Sequence, residues 1–129
     1  MPDPEILSRT LAGQPSSVRR ARSAVHRFLG QHARADDVAL IVSELATNAV
    51  RHSASQDSTY ELRLEVKPGR LRIEVVDRGA APRAVVVGEP GESGRGLEIV
   101  EALADDWGHE GRGTLMVSWA ELWMERTGD

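Results

Sequence analysis

Residues 36–52 read DDVALIVSELATNAVRH, and the fold can be worked outward from them. Val38, Ile41, Val42, Leu45 and Ala49 recur at three- and four-residue spacing, the pattern of one apolar stripe on a helix. Asp36 is placed to cap its start, and the helix is expected to run to about His52. A one-sided helix must bury its stripe against another element, and the flanking sequence supplies candidates. Upstream, Ser16 is a good N-cap, Val18, Ala21, Val25, Phe28 and Leu29 follow at helical spacing, and Gly30 marks the end. Before that helix, Gly13 to Pro15 breaks the chain, and the alternation of Leu7, Arg9 and Leu11 predicts a short strand.

Downstream, Tyr60, Leu62, Leu64 and Val66 alternate with Glu61, Arg63 and Glu65. Leu71, Ile73 and Val75 then alternate with Arg72 and Glu74, and the Lys67 to Arg70 stretch joins the two runs. This predicts a hairpin with one wet face. Residues 78–95 are rich in Gly and Pro and read as mostly loop. Leu97, Val100, Ala104 and Trp107 have helical spacing with Gly108 as the stop, and a final strand is expected from about Thr114 to Trp123. The order strand, helix, helix, hairpin, loop, helix, strand predicts an α+β two-layer sandwich. At 129 residues the chain fits a single domain, 1–129.

Bulk composition narrows the function. Hydrophobic content of 40% and charge of 28% fit a globular protein, and aromatic content of 4% leaves the core to aliphatic residues. A net charge of −4 gives the chain as a whole no electrostatic pull toward nucleic acid. With no cysteine, disulfides, thiolate nucleophiles and Cys-ligated zinc are excluded. No stretch is apolar enough to span a bilayer and no signal-peptide pattern opens the chain, so a cytoplasmic location without membrane contact is expected. The only lysine, Lys67, lies in a turn-like stretch, so no P-loop is present to hold phosphates.

Three features could carry chemistry. Glu44 and Asn48 lie about 40° apart on the central helix, to one side of its apolar stripe. An amide oxygen suits a hard cation such as Mg²⁺ and a carboxylate can accept a proton, although Glu and Asn are also common on solvated helix edges. Leu71, Ile73, Val75 and Asp77 share one parity, so the core-facing row ends in a carboxylate that could meet a ligand amino group; the alternative is a turn beginning at Asp77 and Gly79. The stretch Gly91-Glu92-Ser93-Gly94-Arg95-Gly96-Leu97 leads into a helix, where glycine amides and the helix dipole favour an anion. Glycine-rich loops are common on flexibility grounds alone. Arg19, Arg20 and Arg22 form either a basic surface for an acidic partner or a solvated face.

Together these motifs resemble the GHKL superfamily of ATPases and kinases, named for gyrase, a heat-shock chaperone, histidine kinases and a mismatch-repair protein. Glu44-Leu45-Ala46-Thr47-Asn48-Ala49-Val50-Arg51-His52 looks like its N box, Asp77-Arg78-Gly79 like its first glycine box, Gly91 to Leu97 like its second, and Gly113-Thr114 like its GT element. The run from Gly94 to Gly108 and the ending Val117-Ser118-Trp119-Ala120-Glu121-Leu122 are similar to the small anti-sigma factor serine/threonine kinases. The resemblance implies a Bergerat-type mixed sheet covered on one face by helices, with ATP and Mg²⁺ as cofactors. It implies that Asn48 ligates Mg²⁺, Asp77 accepts from the adenine amino group and Gly79 lets the backbone pass the base. Gly94, Arg95, Gly96 and Leu97 would line the phosphates, Thr114 would support the adenine pocket, and Glu44 would be the general base. Ala81 stands where the family usually has a second glycine, and the lid between Asp77 and Gly94 is short.

The function so implied is an ATP-dependent protein kinase acting in transcription regulation. It would phosphorylate a small anti-anti-sigma partner of the STAS type, sequester a sigma factor, or do both, with a homodimer as one assembly open to it. Two alternatives remain: a non-catalytic ATP-gated partner-binding module, and a detached histidine-kinase catalytic domain. Against the last, His26 is followed by Arg27 rather than by an acidic residue, and no dimerising helix pair precedes the domain.

Overall fold

The computed structural model describes residues 3–51, 58–78 and 94–123. Its elements are β1 (Glu5–Ala12), α1 (Ser16–Leu29), α2 (Ala35–Arg51), β2 (Thr59–Lys67), β3 (Arg70–Arg78), α3 (Gly94–Leu103), β4 (Asp106–Arg112) and β5 (Leu115–Trp123). The strands form one sheet in the order β1-β2-β3-β5-β4. The two-layer α+β sandwich read from the sequence is the fold, with the helix layer on one face.

The turns explain the register. Pro68-Gly69 joins β2 to β3, with Pro placed where its fixed φ is favourable and Gly69 at φ 80°. Counting back from that turn sets Leu64 opposite Ile73, Leu62 opposite Val75 and Tyr60 opposite Asp77. Gly113-Thr114 joins β4 to β5, and the positive φ falls on the first loop residue, Gly113. Every ladder among the described residues is antiparallel. The mixed sheet implied by the resemblance is realised differently: β3 and β4 run the same way, but β5 is inserted between them and separates them.

Alternation sorts the side chains. Leu62, Leu64, Leu71, Ile73, Val75, Ala120 and Leu122 are buried beneath the helices, where they meet Val25, Val38, Ile41, Val42, Leu45 and Val100. The opposite face carries charge. There Arg72 bonds Glu74 and Glu121 at 2.9 and 2.8 Å, and its guanidinium lies 4.7 Å from the Trp119 ring centroid. Arg19, Arg20 and Arg22 on α1 are exposed and form no ion pair among the described residues, as a solvated face does. No helix among the described residues is long and apolar enough to cross a membrane.

Several boundaries differ from the sequence reading. Ser16 is the first helical residue of α1, and Pro15 takes the N-cap position. In α2 the first intrahelical bond is accepted by Arg34, so Asp36 lies within the first turn, where its charge still favours the helix dipole. The largest difference is β4. Trp107 belongs to that strand rather than to the third helix, which ends at Leu103. Gly108 and Gly111 remove the side chains that would have shown alternation. A Cβ at Gly108 would lie 3.0 Å from the indole of Trp119, its register partner, so a larger residue there would press on that ring.

Candidate functional site

Asp77 is 6% exposed, and its Oδ1 is buried. It closes the helix-facing row Leu71, Ile73, Val75 on β3, which sets a carboxylate acceptor at one end of an otherwise apolar floor. Its register partners are Tyr60 on β2 and Met116 on β5. Tyr60 is buried too, and its hydroxyl lies 2.7 Å from Ser17 Oγ at the start of α1. Desolvation pushes the Tyr60 phenol above its ordinary value, with the Ser17 hydrogen bond opposing part of that rise.

The direction of each helix follows from its ends. Arg34 Nη2 donates to Leu103 O at 3.1 Å, so α2 begins where α3 finishes and the two lie antiparallel. Asp105 N donates to Glu121 O, and Glu121 pairs with Arg72, so this junction sits over the beginning of β3. From it, Asn48 lies about 21 Å along α2 and Gly94 about 14 Å along α3. Asp77 lies about 17 Å along β3 from Arg72. All three are therefore carried toward the same end of the sandwich.

Glu44 and Asn48 are half-buried, flanked on α2 by the buried Ser43, Leu45 and Ala49. That is the border between the packed stripe and an accessible edge. Gly94 to Leu97 form the first turn of α3 rather than the loop before it. This turn holds no acidic residue, so the positive end of α3 keeps its attraction for an anion. Thr114 is exposed in the β4–β5 turn. Because Arg78 pairs with Leu115, Thr114 lies one step past the end of β3, at the Asp77 end of the sheet. Gly79, Ala81, Gly91, His52 and the lid of 79–93 lie outside the described residues.

The donor types fit a nucleotide with a hard cation: a buried acceptor for an amino group, an amide oxygen for Mg²⁺, and a helix N-terminus for phosphates. A family model described as histidine kinase-like ATPase domain matches residues 11–119. The chain belongs to this family. An ATPase domain of this kind binds ATP, and the span matched runs through every candidate site residue named above. Among solved structures, the RsbU and RsbW domains of Rv1364c from Mycobacterium tuberculosis superpose with a TM-score of 0.72 at 21% identity, over 95% of this chain and 33% of that one. The histidine kinase domain of the Erythrobacter litoralis EL346 blue-light activated histidine kinase gives 0.58 at 24% identity, over 84% and 59%. The Acinetobacter baumannii histidine kinase AdeS gives 0.57 at 16% identity, over 95% and 70%. These likenesses share the fold, and the chain spans about a third of the Rv1364c structure it resembles. No curated protein matches the chain.

The sequence reading overlooked two residues beside Asp77 in this histidine kinase-like domain. Tyr60 was legible, since the Pro68-Gly69 turn fixes it opposite Asp77. Met116 was not, because it needs the β3–β5 ladder between strands distant in sequence. One row further in, His109 Nδ1 and Ser118 Oγ lie 3.0 Å apart, and His109 meets Trp107 edge-on.

Proposed function

We propose that the chain is a protein serine/threonine kinase of the anti-sigma factor type, binding Mg·ATP at the Asp77 end of the sandwich. The observation that carries this reading is the buried carboxylate of Asp77 at the end of the sheet toward which Asn48 and the α3 N-terminus are directed. Asp77 accepts a hydrogen bond from the adenine amino group, Asn48 offers its amide oxygen to Mg²⁺, and the amides around Gly94 and Gly96 face the phosphates, with Arg95 and Leu97 beside them. Gly79 and Thr114 complete the adenine side. Mg²⁺, when bound, neutralises phosphate charge.

Phosphoryl transfer is governed mainly by positioning and charge neutralisation, with a base to take the hydroxyl proton. Glu44 lies one helical turn before Asn48, so its carboxylate takes the proton of a serine or threonine hydroxyl held next to the γ-phosphate. The hydroxyl oxygen then bonds to phosphorus, the bond to the β-phosphate bridging oxygen breaks, and ADP leaves. The Rv1364c structure joins an RsbW domain to an RsbU domain, which supports a partner drawn from a sigma-factor switch. We assign as substrate a small STAS-type anti-anti-sigma protein, with a sigma factor as the sequestered partner, acting in the cytoplasm to regulate transcription.

A single-turnover assay with γ-labelled ATP and a purified STAS-type candidate tests the assignment. Label on a serine or threonine of the partner is the expected result. An unlabelled partner whose affinity for the chain nonetheless changes with ATP would leave an ATP-gated binding module instead, and acid-labile phosphohistidine would leave a histidine-kinase domain.

A further inference from the structure

Leu103 is the last residue of α3, so its carbonyl has no partner within the helix. Arg34 Nη2 donates to it at 3.1 Å, across 69 residues of sequence. The same guanidinium donates through Nε to Asp37 Oδ2 at 2.9 Å, in the first turn of α2. One planar fork thus addresses a carboxylate on α2 and a carbonyl on α3 at once. Its base is fixed as well: Arg34 N donates to His32 Nδ1 at 3.0 Å, and Arg34 O accepts from Val38 N at 2.9 Å. A cation at the carboxyl end of α3 also suits the dipole of that helix.

The core holds the two helices unequally. α2 sinks Val38, Ile41, Val42 and Leu45 into it, whereas among the described side chains of α3 only Val100 is fully buried. The placement of α3 therefore leans on its ends. Asp105 N, just past the helix, donates to Glu121 O and holds the chain to β5; the bond from Arg34 holds α3 to α2. Gly94, whose amide is assigned to the phosphates, lies about 14 Å from that bond. Tilting α3 by about 5° at Leu103 would shift Gly94 by about 1 Å, which is more than a hydrogen bond tolerates. We propose that Arg34 is a positioning residue for the nucleotide. It pins α2 and α3 together at one end of the sandwich and so sets the spacing between Asn48 and the α3 N-terminus at the other. Asp77 lies on β3, outside this tie, so the adenine side does not depend on it. The inference rests on the Mg·ATP site proposed at the Asp77 end.

The test compares full-length variants at a temperature where circular dichroism shows each one folded. Arg34→Lys keeps the charge but can reach one partner, not two. Calorimetry should show its Kd for Mg·ATP raised about fivefold, while its Kd for adenosine, which has no phosphate, stays close to native. Asp37→Asn leaves the bond to Leu103 in place and should keep both affinities close to native. Amide hydrogens of α3 should exchange faster in Arg34→Lys than in the native chain. Native Mg·ATP affinity in Arg34→Lys, equal losses for Mg·ATP and adenosine, unchanged exchange in α3, or an Asp37→Asn variant as weak as Arg34→Lys would overturn the proposal. Asn48→Ala separates this failure from that of the site. If Asn48→Ala weakens Mg·ATP and Arg34→Lys does not, the positioning role alone falls; if neither does, the site at the Asp77 end falls with it.

Discussion

The Tyr60 hydroxyl and Ser17 Oγ meet at 2.7 Å in the interior, on the strand residue that stands opposite Asp77. The contact ties the first turn of α1 to the sheet beside the candidate site. Tyr60→Phe removes one partner and leaves Ser17 buried without it, which costs about 1–3 kcal/mol. For a chain of this size each kcal/mol lowers Tm by about 3–5 °C. Thermal unfolding followed by circular dichroism should show such a fall, with ATP affinity little changed.

The same residue gives a pH dependence. Burial raises the Tyr60 phenol above its ordinary value near 10, so the folded state holds that proton more tightly than the unfolded chain does. The resulting stability is fully present below pH 10 and is lost as pH climbs through the folded value. Tyr60 is the only tyrosine, so tyrosinate absorbance reports it alone. Its midpoint should lie above that of the chain unfolded in denaturant, and denaturation midpoints should fall above pH 10.

Asn48→Ala should weaken Mg·ATP binding much more than binding of metal-free ATP, because the amide oxygen is assigned to the cation. Isothermal titration with and without EDTA measures both. Equal losses would remove Asn48 from the metal.

Asp77 should make the site selective for adenine. Guanine presents a carbonyl where adenine presents an amino group, and a buried acceptor facing an acceptor costs roughly 1–3 kcal/mol. ATP should bind about tenfold or more tightly than GTP, and Asp77→Asn should narrow that ratio. Equal calorimetric affinities of the native chain for the two nucleotides would mean that Asp77 does not read the base.

Glu44→Gln preserves the shape of α2 while removing the proton acceptor. Transfer to the partner should drop about 10²–10⁴-fold, and ATP affinity should stay within about twofold. A variant that transfers at the native rate would reduce Glu44 to a structural role.

Much of this architecture was legible where one element decides its own pattern. The α2 stripe and the β2–β3 hairpin each bury one face, so period and parity betray them. β4 was not legible. Its strand signal is interrupted by Gly108, whose missing side chain answers to Trp119 on the neighbouring strand. The third helix was read too long because Ala104, which still donates to Val100 O, and Trp107 continue its spacing by chance. The helix itself ends at Leu103.

The sequence alone determined which residue types could act and in what order: a carboxylate and an amide one turn apart, a core-parity row ending in Asp77, and glycines before an apolar helix. These are properties of local periodicity, which the chain carries wherever it goes. Only the tertiary structure decided that Met116 flanks Asp77, that β5 separates β3 from β4, and that α2 and α3 run antiparallel from the Arg34–Leu103 contact. Those are pairings between segments tens of residues apart. They are selected by closing one core over one sheet, and no window of sequence contains both partners.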